Sequence, residues 1–141
     1  MNMKRYSKRS AGFTLLELLV VIVIIGMLAG YVGPKYFAQL GKSEIGVAKA
    51  QLNAFDKALD QYRLDVGHYP SSVQGLQALS SRVDNETKWA GPYLKKEVPL
   101  DPWGHPYQYR FPGSNGKDFD LFSFGKDGVA GGVNEDADIS N

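Results

Sequence analysis

Two apolar patterns of different kind divide the chain. From Phe13 to Gly33 nearly every position is apolar, and Glu17 is the one charge in that stretch. All-round apolarity over this length predicts a membrane-spanning helix, since at about 1.5 Å per residue it reaches roughly 31 Å, close to one hydrocarbon core. From Lys42 to Val66 the apolar positions narrow to a stripe. Ile45, Ala48, Leu52, Phe55, Leu59, Tyr62 and Val66 follow one another at alternating intervals of three and four, with Lys49, Asp56, Lys57, Asp60 and Arg63 largely outside it. That spacing predicts an amphipathic helix laid across a sheet, stopped by Gly67 and Pro70. Pro34 is expected to close the first run. The two patterns together predict a long, interrupted N-terminal helix, half in a membrane and half forming the spine of a soluble head.

Beyond the stripe the periodicity shortens. Ser71-x-x-Gln74 is a capping box, and Val73, Leu76 and Leu79 supply the face of a short second helix. Residues 80–100 form a loop punctuated by Trp89, Pro92 and Tyr93, and Asp101-Pro102-Trp103-Gly104 suits a type I turn. Residues 107–111 and 119–124 alternate as strands, with turn chemistry at 112–116 between them. The fold class is therefore α+β: a long helix, a small helix, a loop and an antiparallel sheet. Within the apolar run, Gly26 and Gly30 are a small-xxx-small pair. It fits either a close helix–helix contact or, with Gly33 and Pro34, a local weakness of the helix.

Charge gives the chain a direction. Lys4, Arg5, Lys8 and Arg9 precede the apolar run, and a basic flank stays in the cytoplasm. The net charge of +1 hides the remainder, which carries 12 basic against 15 acidic residues. A weakly acidic head does not invite nucleic acid. At 141 residues the chain holds one domain plus an anchor. It has no cysteine, so a small domain outside the cytoplasm needs another staple, such as a metal or packing against identical copies. The glycine-rich segment from Phe124 to Asp138 holds Asp127, Glu135, Asp136 and Asp138. Calcium takes six to eight oxygens. An EF-hand is excluded, because Val129 and Gly131 stand where ligands would be needed, and on residues alone the segment reads as a solvated acidic tail. No nucleophile elbow, phosphate loop or metal-hydrolase spacing accompanies His68 and His105, which sit in turns, so the chain does not read as an enzyme.

The order of parts at the start is unlike a secretory signal, whose cut would fall after Ala29 with an ill-fitting Met27. A basic leader, then Gly12-Phe13-Thr14-Leu15-Leu16-Glu17, then an apolar run resembles the type IV pilin-like leader. Three further stretches narrow the resemblance to the major pseudopilins of type II secretion: Gln74-Gly75-Leu76-Gln77-Ala78-Leu79, Asp101 to Tyr109, and Phe122 to Gly128. The resemblance implies a pilin-like fold, with residues 1–12 removed by a prepilin peptidase between Gly12 and Phe13, and Phe13 N-methylated. It implies an assembly helix at 13–33 that spans the inner membrane, and a periplasmic head at 34–141. Glu17 reads on its own as reaching the headgroups at the cytoplasmic end. The resemblance implies instead a pair with the Phe13 ammonium of a neighbouring subunit.

The implied function is the major subunit of a periplasmic filament that drives folded exoproteins through an outer-membrane secretin. Its implied partners are further copies of itself, minor pseudopilins, the prepilin peptidase, an inner-membrane platform and a cytoplasmic ATPase. The implied cofactor is calcium, held by a C-terminal loop through Asp127, Asp136, Asp138 and the Phe124 carbonyl, with Glu135 a weaker candidate. Trp103 and the tyrosines are expected in the head core and filament contacts. Two alternatives are a surface pilin for motility or DNA uptake and a membrane-anchored monomeric calcium-binding module. The missing cysteines and the Asp101–Gly104 signature speak against the surface pilin.

Overall fold

The computed structural model describes residues 12–83 and 85–140, so the expectations for the basic leader at 1–11 lie outside the described residues. These fall into two compact units, one ending at Ala38 and one beginning at Gln39. One helix, α1 (Leu15–Val66), belongs to both. Its start is fixed by Thr14, whose Oγ1 accepts the Glu17 N–H at 3.2 Å while the Thr14 N–H donates to Glu17 Oε2 at 2.8 Å. This is a complete capping box, satisfying two donors that a helix start otherwise leaves unpaired. Its end is fixed by Gly67, which takes a positive φ of 98° open to glycine and donates its N–H to Arg63 O at 2.8 Å.

The expected interruption at Pro34 does not occur: the proline lies inside an unbroken α1. A proline within a helix removes one hydrogen bond and strains one turn, at about 3 kcal/mol. Ending the helix there would require a new nucleus on the far side, where fixing several residues is rewarded by a single bond. With helix-forming sequence on both sides, tolerating the local defect is the cheaper outcome.

In the unit from Gln39 onward, the stripe behaves as its spacing predicts. Ala48, Leu52, Phe55, Leu59, Tyr62 and Val66 are buried, joined by Ala58, with Ile45 packed at the margin. Opposite them come Tyr69, Leu76, Leu79, Tyr107, Leu121 and Ile139. Phe55 meets Tyr107 edge to face at 5.0 Å between ring centroids. The capping box closes, with the Ser71 N–H donating to Gln74 Oε1 at 2.8 Å and the Gln74 N–H to Ser71 Oγ at 3.2 Å. The element that follows is a 3₁₀ helix, Gly75–Leu79, rather than α. Val73 therefore precedes it and does not share the Leu76 and Leu79 face; it is 98% exposed, against expectation.

Three short strands complete the head: β1 (Gln108–Arg110), β2 (Asp120–Ser123) and β3 (Ile139–Ser140), antiparallel in that order. The first two are the expected strands trimmed at their ends, and the two-residue β3 is too short to leave a periodic signal. Burial pushes the Tyr62 hydroxyl up to about 12 and raises Tyr107 and Tyr109 as well, so these phenols stay neutral in the core. Arg110 and Asp120 face each other across β1 and β2. Arg110 donates to Asp120 Oδ2 from Nε at 3.1 Å and Nη2 at 2.8 Å, and Ser114 adds its N–H and hydroxyl.

The Arg110 bonds hold the Asp120 carboxyl below the usual carboxylate range, aided by those from Ser114. Stability from a lowered carboxyl is fully present above its unfolded pKa of about 4 and is lost as pH falls through its lower native value. Asp120→Asn should therefore be less stable than the parent at pH 7, with the gap closing in acid. Urea midpoints at pH 7 and at acid pH check this, and a gap independent of pH would contradict it.

Candidate functional site

The first unit presents one candidate site at the start of α1. Phe13 is exposed, and the apolar side chains from Leu15 to Leu28 are all exposed on the single chain. The capping box draws the Glu17 carboxylate back toward residues 13–14, where the positive end of the helix dipole favours a negative charge. The signal for this was present as Thr14-x-x-Glu17, the same pattern that marks Ser71-x-x-Gln74. A Cβ built at Gly26, Gly30 or Gly33 would meet nothing within 4 Å. Packing within the chain thus does not require glycine at these positions.

The second candidate is the terminal loop, which follows β2 and returns to β3. Its entry and exit run against each other: the Lys126 N–H donates to Glu135 O at 2.9 Å, and the Asp138 N–H to Gly131 O at 3.2 Å. The crossing is tight enough that a Cβ on Gly125 would come within 2.8 Å of Ala137 O and Glu135 O. Asp127 Oδ1 accepts the Val129 N–H at 3.1 Å, and Asp138 Oδ1 accepts the Gly131 N–H at 3.1 Å. Both residues are exposed, while Asp136 and Phe124 are half-buried. Glu135 is engaged elsewhere. Its Oε2 pairs with Lys126 Nζ at 2.8 Å, and its carboxylate lies where a side chain at the buried Gly41 would stand.

The donor chemistry of this loop suits a hard cation. Asp127, Asp136, Asp138 and the Phe124 carbonyl all offer oxygen atoms on one strongly curled segment. Among the described residues no three His, Asp or Glu side chains gather as a metal-binding group. A cation here would draw several donors from backbone carbonyls.

One residue escaped sequence reasoning. Asp101 is buried, and its Oδ1 accepts the N–H groups of Trp103 at 3.1 Å and His105 at 2.8 Å. Its Oδ2 accepts the Ser123 hydroxyl at 2.6 Å, and Ser123 Oγ accepts the Gly125 N–H at 3.1 Å. The expected turn is present, with the Gly104 N–H donating to Asp101 O at 3.0 Å. Its aspartate also organises the entry to the terminal loop, where His105 Nδ1 lies 3.2 Å from Gly125 O. The available signal was an aspartate ahead of Pro-Trp-Gly, a type that bonds backbone N–H groups just downstream. His68 makes local contacts, with Nδ1 2.9 Å from Tyr69 O and Nε2 3.2 Å from Glu86 Oε1. Trp103 is half-buried, its Nε1 donating to Glu44 Oε2 at 2.9 Å.

A helix with an exposed apolar first half and an amphipathic second half, closed by a small antiparallel sheet, defines a pilin-like subunit. The sequence profile described as type II secretion system (T2SS), protein G matches residues 35–141, and the prokaryotic N-terminal methylation motif matches residues 7–32. The type II secretion system core protein G of Pseudomonas aeruginosa is 44% identical over 137 residues, covering 95% of this chain and 96% of the relative. That of Vibrio cholerae is 42% identical over 142 residues, covering 99% and 95%. The crystal structure of the major pseudopilin from the type 2 secretion system of enterohaemorrhagic Escherichia coli superposes with a TM-score of 0.60 at 37% identity. That match covers 74% of this chain and 91% of the other. The chain belongs to the type II secretion system protein G family, and neither alternative reading is favoured.

Asp101→Ala would strand the Ser123 hydroxyl and two backbone N–H groups in a buried site. The loss should be on the order of 3 kcal/mol, with amide exchange accelerated from Gly125 through the terminal loop. Urea unfolding and hydrogen exchange measure the two effects, and an unchanged midpoint would contradict the role given to Asp101.

Proposed function

We propose that the chain is the major structural subunit of a periplasmic pseudopilus. The observation that carries this is the first half of α1, whose apolar side chains all stand exposed on the single chain. Such a surface needs lipid around it, or other copies of itself. The basic leader sets the N-terminus in the cytoplasm and the head in the periplasm. A prepilin peptidase cuts between Gly12 and Phe13, and Phe13 is methylated. Glu17 then pairs with the Phe13 ammonium of a neighbouring copy, which recruits each subunit to the base and sets its axial register.

The action is mechanical rather than enzymatic. Subunits added at the base by an inner-membrane platform and its ATPase, with minor pseudopilins at the tip, advance the filament and move folded exoproteins through the secretin. The capping box turns the Glu17 carboxylate to the Thr14 N–H, at the end of the helix that the cut would expose.

Calcium is the staple that replaces disulfides in this reading. Asp127, Asp136, Asp138 and the Phe124 carbonyl would hold it, and the ion would supply a hard positive centre for the loop's oxygens. Asp101 and Ser123 position the segment that carries Phe124, and Glu135 ties the loop to Lys126 and Gly41.

Two measurements follow. Glu17→Ala should yield no sheared filaments, while intact mass still shows loss of residues 1–12 and gain of one methyl group. Normal filaments from that variant would contradict the pairing. Chelation with EGTA should lower the melting temperature of the parent but not that of Asp127→Asn, which keeps the oxygen that accepts the Val129 N–H. A parent indifferent to EGTA would remove calcium from the account.

A further inference from the structure

Four residues where the apolar run of α1 ends have no part in the head core or the terminal loop: Tyr31, Lys35, Tyr36 and Phe37. All belong to the unit that ends at Ala38. Tyr31, Tyr36 and Phe37 are 66%, 64% and 68% exposed. Lys35 folds back one turn, its Nζ donating to Tyr31 OH at 2.9 Å and lying 4.5 Å from the centre of that ring. Tyr36 and Phe37 pair edge to face at 5.9 Å. These two turns of helix thus carry exposed aromatic residues and one cation, directly continuous with a segment built for hydrocarbon.

The spacing fits a bilayer. Glu17, near the start of the apolar run, and Lys35, just past its end, have no charge between them, and on an unbroken helix they stand about 27 Å apart along the axis. That is close to the roughly 30 Å of a hydrocarbon core. The continuity through Pro34 makes this distance meaningful, and it explains where the proline sits. Pro34 has no N–H, so the Gly30 carbonyl loses its helical donor. Within hydrocarbon such a group has nothing else to bond, but at headgroup depth water reaches it. Tyrosine, with an apolar ring and a polar tip, and lysine, with a long apolar stem, are side chains suited to that depth.

We propose that Tyr31, Lys35, Tyr36 and Phe37 form a belt that binds the headgroup layer of anionic phospholipids and fixes how deeply the anchor is seated. The belt rests on the reading of residues 13–33 as a membrane anchor. A second copy is the less favoured occupant, because packing through this face would bury the Lys35 ammonium without a carboxylate from the same stretch of helix.

The chain has no cysteine, so single nitroxide labels can be placed at Val21, Ala38 and Leu64 by cysteine substitution in the full chain. The protein is reconstituted in nanodiscs containing phosphatidylglycerol or phosphatidylcholine alone, and depth is read by power saturation with oxygen and a nickel chelate. The Val21 label should lie in hydrocarbon, the Ala38 label at headgroup depth, and the Leu64 label in water. Lys35→Glu should move the Ala38 label outward by about one helical turn, ~5 Å, in phosphatidylglycerol and not in phosphatidylcholine. An Ala38 label as wet as Leu64, or a depth indifferent to Lys35→Glu in both lipids, would overturn the belt. Dipolar broadening between Ala38 labels in discs loaded with two copies would overturn it in favour of a copy–copy contact. A Val21 label outside the hydrocarbon would overturn the anchor itself, which separates that failure from failure of the belt alone.

Discussion

The head depends on one buried stripe of α1. Strands of three, four and two residues cannot hold together as an isolated sheet in water. They persist because Leu52, Phe55, Leu59 and Tyr62 offer them a continuous apolar wall, and Tyr107, Leu121 and Ile139 pack onto it from all three strands or their margins. The helix gains equally from the arrangement, since most helical stability in a protein comes from burying one face rather than from propensity. Removing either partner leaves the other without a fold.

With that wall in place, polar contacts can be spent on shaping the terminal loop. Asp101 reaches from its turn to Ser123 at the end of β2, and Ser123 passes the constraint to Gly125. At the far side Glu135 occupies the space above Gly41 and pairs with Lys126. The Asp101–Ser123–Gly125 contacts are buried, where a hydrogen bond is worth more than at the surface and its loss leaves an unsatisfied partner. The loop is thereby tied at both ends to the cysteine-free head; of its remaining carboxylates Asp127 and Asp138 are exposed and Asp136 is half-buried.

Much of this was legible because it obeys short periods. The 3,4 spacing from Ile45 to Val66 marks the wall residue by residue, and the Ser71–Gln74 box forms between the predicted atoms. What was not legible depends on context that no local pattern carries. Pro34 looks like a stop, yet the helix on either side tolerates it. Val73 fits a helical face only if the helix begins early enough to include it. The two residues of β3 are a strand solely because β2 lies beside them. At the sites, Thr14-x-x-Glu17 was readable as a cap but was overshadowed by the membrane setting of Glu17, and Asp101 was readable as a turn former but not as a long-range acceptor. The residues proposed for calcium came from resemblance, since the acidic spacing by itself fits a solvated tail.

The central claim is that this subunit serves secretion rather than surface motility. The most direct measurement removes its gene and compares proteins in the culture medium with wild type, scoring surface motility in the same strains. The account predicts folded exoproteins retained in the periplasm with motility intact, and their release restored by the wild-type chain. Normal secretion alongside lost motility would contradict it.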